Sequence, residues 1–155
     1  MRRRDFIAFL GVAAVWSQQA HAQQALIRKT FALGDTSFAI FLPEAAVVGR
    51  SAGGDKVTFD LTKGERLERS LTLATAPPEP GASADRDALL ANGSRFEYAV
   101  EDDIGGGSGG PIARLSGRLA IGAHVLSVTC TDQDEWSREP AWCRPYLARL
   151  EVVKP

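Results

Sequence analysis

Three times in succession between Arg95 and Cys130, apolar residues recur at every second position. That period matches a strand half-buried on a sheet and excludes a helical stripe. From Ser94 to Glu101 it sets Phe96, Tyr98 and Val100 on one face and Arg95, Glu97 and Glu101 on the other. From Ile112 to Ile121 it sets Leu115, Leu119 and Ile121, with Gly117 between them, against Arg114, Ser116 and Arg118. From His124 to Cys130 it groups Leu126, Val128 and Cys130. Gly122-Ala123 is a tight link, and the run Gly105-Gly106-Gly107-Ser108-Gly109-Gly110 lets the backbone reverse. The three strands are therefore expected to form an antiparallel meander.

The residues before it read as partners for this sheet. Leu26–Leu33 and Ser37–Leu42 are two strands joined through Gly34-Asp35, a plausible hairpin loop, and Pro43 ends the second. Glu44–Arg50 fits a short helix; Val57–Leu61 and Leu67–Thr75 alternate as strands, with a turn at Gly64. Residues 76–84 are rich in Pro, Gly, Ala and Ser and read as a loop. Ser83 or Asp85 caps an expected short helix that stops at Asn92-Gly93. After a polar loop from Thr131 to Ala141, Trp142–Val153 has helical spacing, with Tyr146, Leu147, Leu150 and Val153 on one face and Pro145 in the first turn. A strand from Leu147 to Val153 is the alternative.

The first 22 residues read as an address. Met1-Arg2-Arg3-Arg4 is a basic start, Phe6–Trp16 an apolar run, and Ala20-His21-Ala22 a small-x-small cleavage pattern. The apolar run is shorter than the roughly 20 residues a bilayer span requires. Arg3-Arg4-Asp5-Phe6-Ile7 resembles the twin-arginine export motif. The expectation is a cleaved signal over residues 1–22 and one globular domain over 23–155, placed in a bacterial periplasm or the medium.

Cleavage after Ala22 leaves 133 residues with 15 basic and 18 acidic side chains, a formal charge of −3, because Arg2, Arg3, Arg4 and Asp5 go with the leader. That balance supplies no basic field for a nucleic-acid backbone. In an oxidising compartment Cys130 and Cys143 read as a disulfide closing a loop of 12 intervening residues. Such a bridge stabilises by roughly 3 kcal/mol in the chain-entropy account. The spacing is far from Cys-x-x-Cys, and zinc would need further ligands, which one mature histidine does not supply.

Candidate sites are few. The glycine run followed by a strand matches neither a P-loop nor a dinucleotide fingerprint. The acidic groups Glu101-Asp102-Asp103 and Asp132-Asp134-Glu135 offer oxygens to calcium without matching a known loop pattern. His124 is the one candidate general base, with no nucleophile motif to serve. No catalytic residue, cofactor or metal site is assigned. Trp136, Trp142 and Tyr146 surround the disulfide loop with Arg138 and Arg144 beside them, the residue types that dominate protein interfaces. They are the expected partner-binding residues.

These elements predict an α+β fold: an antiparallel sheet with a mid-chain helix and a C-terminal helix packed on it, or a β-sandwich if the last element is a strand. The order of elements, with Phe38-Ala39-Ile40-Phe41-Leu42-Pro43 as an early Phe-x-x-x-x-Pro strand end, resembles the PsbP-like fold. That resemblance implies a last helix across the sheet and, in some relatives, a periplasmic immunity role against toxins delivered by type VI secretion. The expected function is an exported protein-binding module, immunity-like, with another exported protein as partner. The alternatives are a small-ligand or calcium-binding periplasmic protein, and a hydrolase.

Overall fold

The structure, a computed structural model, describes residues 25–61, 69–75, 84–103, 112–132 and 141–153. Ten strands are described: β1 (Leu26–Leu33), β2 (Thr36–Pro43), β3 (Val47–Arg50), β4 (Lys56–Asp60), β5 (Arg69–Ala74), β6 (Arg86–Leu89), β7 (Arg95–Asp103), β8 (Ile112–Ile121), β9 (His124–Asp132) and β10 (Glu151–Val152). A 3-10 turn, Ala141–Cys143, leads into α1 (Arg144–Leu147). All pairings are antiparallel. One sheet runs β1-β2-β10 and the other β3-β4-β5-β9-β8-β7-β6.

The expected antiparallel meander β7-β8-β9 forms, and the pairing sets its register. Two hairpins close through two-residue loops, Gly34-Asp35 and Gly122-Ala123, whose first residue has a φ of 55° and 57°. A positive φ there matches the twist of the flanking strands, and glycine adopts it without steric cost.

Register decides what the large sheet buries. Tyr98, Gly117, Val128, Leu73 and Val57 form one cross-strand row, and Val100, Leu115, Cys130, Leu71 and Phe59 the next. The small sheet adds Phe31, Leu33, Phe38, Ile40 and Leu42 to the same core. Phe31 meets Phe59 edge-on at 5.2 Å between ring centroids, so the two sheets share one core. The opposite side of the large sheet carries the row Ser116, Thr129, Thr72 and Thr58. The Thr58 and Thr72 hydroxyls are hydrogen-bonded at 3.0 Å.

Gly117 is required by this packing. Phe96 and Tyr98 project from the same face of β7, and their rings stack at 4.9 Å over the glycine's position. A Cβ at Gly117 would collide with the Glu97 carbonyl oxygen and lie 2.7 Å from Tyr98 Cβ and 2.9 Å from the Phe96 ring. A bare backbone position is what lets the two rings lie flat on the sheet.

The α+β expectation is overturned: the described residues form two antiparallel sheets with a single helical turn. The expected mid-chain helix is strand β6, paired with β7 from Arg86↔Tyr98 to Leu89↔Arg95. A segment of that length is too short to hold a helix alone, and the edge of β7 offers it a full set of backbone partners. Arg95 reinforces the pairing through Asp87 at 2.7 Å. The expected helix at 44–50 is instead a turn and strand β3, which pairs with β4. The C-terminal helix ends after one turn because the free edge of β2 competes for the backbone. Glu151 and Val152 pair with Ala39 and Phe38, and Val153 N donates to Ser37 O at 2.9 Å. The two-sheet arrangement is nearer the β-sandwich alternative, although the closing strand is only Glu151–Val152 rather than Leu147–Val153. The PsbP-like expectation of a last helix across the sheet fails for the same reason.

Candidate partner-binding site

Residues 141–150 lie over one end of the large sheet, on its core face, and are held there at several points. The first hold is covalent. Cys130, near the C-terminal end of β9, is bonded to Cys143 across a Cα–Cα distance of 6.4 Å, and both are 0 % exposed. The bridge expected from spacing and compartment is therefore present. Alternation explains why it forms here: Cys130 shares the inward face with Leu126 and Val128, so its sulfur points at whatever covers the sheet.

Two positions further along the same face lies Asp132, fully buried, in the row of Ala113 and Arg69. Arg69 Nε donates to Asp132 Oδ2 at 3.2 Å. The guanidinium of Arg69 also lies over the Trp142 ring, 5.8 Å from its centroid. Trp142 meets Tyr146 edge-on at 6.2 Å. Arg144 places its guanidinium 5.0 Å from the centre of the Tyr98 ring, the ring that rests on Gly117. A guanidinium over an aromatic face is attractive by about 0.5–1 kcal/mol at exposed sites. Trp142, Arg144 and Tyr146 are half-buried, with Pro145 and Arg149 exposed beside them.

The last hold is Asn92, in the turn between β6 and β7. Its side-chain amide donates to Leu147 O and Leu150 O, each at 3.0 Å, and its Oδ1 accepts from Ser94 N at 3.0 Å. Leu147 O at the end of α1 and Leu150 O just before β10 are thus both bound by a side chain from another element. The Asn92-Gly93 stop expected for a helix is in fact a tight turn, with Gly93 at φ 80° and Leu90 N donating to Ser94 O at 2.9 Å.

Of the five expected partner-binding residues, Trp142 and Tyr146 meet and Arg144, on the same short segment, lies on Tyr98, while Trp136 and Arg138 lie outside the described residues. Arg69, Tyr98, Asp132 and Asn92 were not legible as members of this cluster. They come from four separate stretches of the chain, and only Asp132 carried a hint, two positions after Cys130 on one strand face. The glycine run 105–110 and the acids Asp134 and Glu135 also lie outside the described residues. Asp132 points inward to Arg69 rather than into an acidic loop, and no group of three metal-ligating side chains occurs among the described residues. His124 packs edge-on against Phe38, at 5.7 Å between ring centroids.

Comparison with known proteins decides what kind of module this is. The family model of the type six secretion immunity 3 domain, Tsi3, matches residues 39–151, from β2 to the first residue of β10. The chain belongs to the Tsi3 family. It is accordingly an immunity-like protein-interaction module, and the match is to this family rather than to the PsbP-like fold. The Tsi3 match encloses the disulfide, Arg69, Asn92 and the whole of residues 141–150. A crystal structure from Bacteroides thetaiotaomicron VPI-5482 is similar in fold, with a TM-score of 0.51 at 11 % identity. The likeness covers 76 % of this chain and 45 % of that one, so this chain spans less than half the length of the other protein. No curated protein matches the chain.

The ion pair under Trp142 makes a direct prediction. Arg69→Met keeps a long apolar stem but withdraws a positive partner from a fully buried carboxylate. Removing one member of a buried pair costs about 3–5 kcal/mol; Arg69 is itself partly solvated, so the expected loss is about 2 kcal/mol. Urea unfolding of the variant checks this, and a loss below about 0.5 kcal/mol would show that the pair does not anchor the site.

Proposed function

We propose that this chain is an exported immunity protein that binds and neutralises a protein toxin in the periplasm, and that the toxin docks on the patch formed by Trp142, Arg144 and Tyr146 with Arg69. One observation carries the docking assignment: within a domain of the immunity family, the half-buried rings of Trp142 and Tyr146 meet on a short segment fixed by a disulfide, with the Arg69 guanidinium of β5 over the Trp142 ring. Aromatic and arginine side chains held in place before binding lose little entropy on complex formation, which is how a small patch reaches high affinity. Trp136 and Arg138, which lie between Cys130 and Cys143 in the sequence, are proposed as members of the same surface.

The export reading rests on the leader. Residues 1–22 carry the basic start, apolar run and Ala-His-Ala pattern, leaving 23–155 as one exported domain. The disulfide supports an oxidising compartment. The arginine pair Arg3-Arg4 directs the chain to the twin-arginine route. Among the described residues no helix is long and apolar enough to cross a membrane.

The test is contact-dependent competition between siblings. A strain lacking the gene is co-cultured with its parent, whose type VI apparatus is active, and is complemented with the wild-type chain, with Trp142→Ala/Tyr146→Ala, or with the chain lacking residues 1–22. The wild-type chain is expected to restore survival. The double variant should lose at least about tenfold in protection while remaining folded by circular dichroism, and the leaderless chain should not protect. Full protection by the double variant would remove the patch from the interface. Full protection by the leaderless chain would overturn the periplasmic assignment.

A further inference from the structure

Resting on the docking patch just proposed, we infer that Asn92 is a positioning residue for toxin recognition: it holds the patch-bearing segment in its binding conformation without being part of the patch. Residues 141–150 contain only a 3-10 turn and one α-helical turn. A helix this short has no stability of its own. Its conformation must be imposed, and the holds fall at its two ends and its middle. Cys143 is bonded to Cys130, Arg144 lies on Tyr98, and Asn92 binds Leu147 O and Leu150 O.

Asn92 is the hold with the most specific chemistry. Its amide nitrogen has two N–H donors, and both meet a carbonyl at 3.0 Å. Its oxygen keeps its own turn by accepting from Ser94 N. Few other side chains offer two donors and an acceptor on so short a stem. The residue thereby couples the β6–β7 turn to the place where α1 gives way to β10.

Asn92→Asp separates the two duties. The carboxylate still accepts from Ser94 N, so the turn survives, but it faces the Leu147 and Leu150 carbonyls with an acceptor instead of a donor. Asn92→Asp, and separately Asn92→Ala, are compared with wild type, as the mature chain in amide hydrogen exchange and as the full chain with residues 1–22 in the sibling competition assay. The expected result has two parts. Amides of Ala148, Arg149 and Leu150, which donate to Arg144 O, Tyr146 O and Leu147 O, exchange roughly tenfold to a hundredfold faster, as loss of two hydrogen bonds implies, while amides of β5, β8 and β9 stay protected. Survival falls at least about tenfold.

Undiminished survival despite the faster local exchange would overturn the proposal, because the patch would then work without its clamp. Survival lost together with exchange rising uniformly through the sheet would overturn it too, since Asn92 would then be supporting the fold as a whole. Trp142→Ala/Tyr146→Ala in the same assay keeps the premise separate: protection by that variant would remove the docking patch itself, whatever Asn92→Asp does.

Discussion

Gly117→Ala is expected to lower stability by about 3 kcal/mol. Overpacking a core usually costs about 1–3 kcal/mol, and the upper end applies where the surroundings cannot relax. Here they cannot. The nearest obstacle to a new methyl is the Glu97 carbonyl oxygen, part of the β7 backbone, and β7 is paired on both sides, with β6 and β8. The next obstacles are Tyr98 Cβ, fixed to the same backbone, and the stacked Phe96 ring. For a domain of this size the loss corresponds to a melting temperature about 10 °C lower. Shrinking Phe96 to leucine in the same chain should recover only a minor part, because it relieves one of three contacts. The effect reaches the site through Tyr98, whose ring carries the Arg144 guanidinium. Thermal and urea unfolding measure it. A loss below about 1 kcal/mol would mean that β7 and β8 can separate locally, contrary to their continuous register from Arg95↔Ala120 to Asp103↔Ile112.

Removal of the disulfide has the second-largest expected effect. Cys130→Ala/Cys143→Ala should destabilise by about 3 kcal/mol, the entropy of leaving a loop of this length open in the unfolded chain. Alanine suits the test better than serine, because both positions are fully buried and a serine hydroxyl would add the cost of an unsatisfied polar group. The folded sheets should survive, since β9 keeps its pairing with β5 and β8. The segment 141–150 loses its covalent hold and relies on Asn92 and on β10. Protection against the toxin should therefore fall more than the stability loss alone explains. Comparing the double variant with wild type at matched fractions of folded protein separates the two effects. A variant that melts within about 2 °C of the oxidised protein would show that the bridge contributes little. One that is destabilised but fully protective would show that the toxin docks elsewhere.

The residues that support the site could not be read as its members in the sequence, for one reason: only the tertiary arrangement of the strands and turns makes them neighbours. Arg69 and Asp132 are 63 positions apart and meet because β9 inserts between β5 and β8. Asn92 and Leu150 are 58 positions apart and meet because β6 turns back at the edge of the large sheet. The acids grouped as a calcium candidate divide on the same grounds, with Asp132 turned inward by alternation.

By itself the sequence determined the strands β1, β2, β4, β5 and the meander β7-β8-β9, with the inward faces of those whose alternation was strong and two of the glycine turns. It also determined the disulfide pair and the residue types suited to protein recognition. A period of two is a local property, readable without knowing what lies across from it. Only the tertiary structure decided the segments of weak or mixed pattern. Residues 86–89 and 151–152 are strands because β7 and β2 offered open edges, and 144–147 stops after one turn because the chain is drawn onto β2. Where the local preference of a few residues is small, the unpaired backbone groups of a neighbouring strand outweigh it.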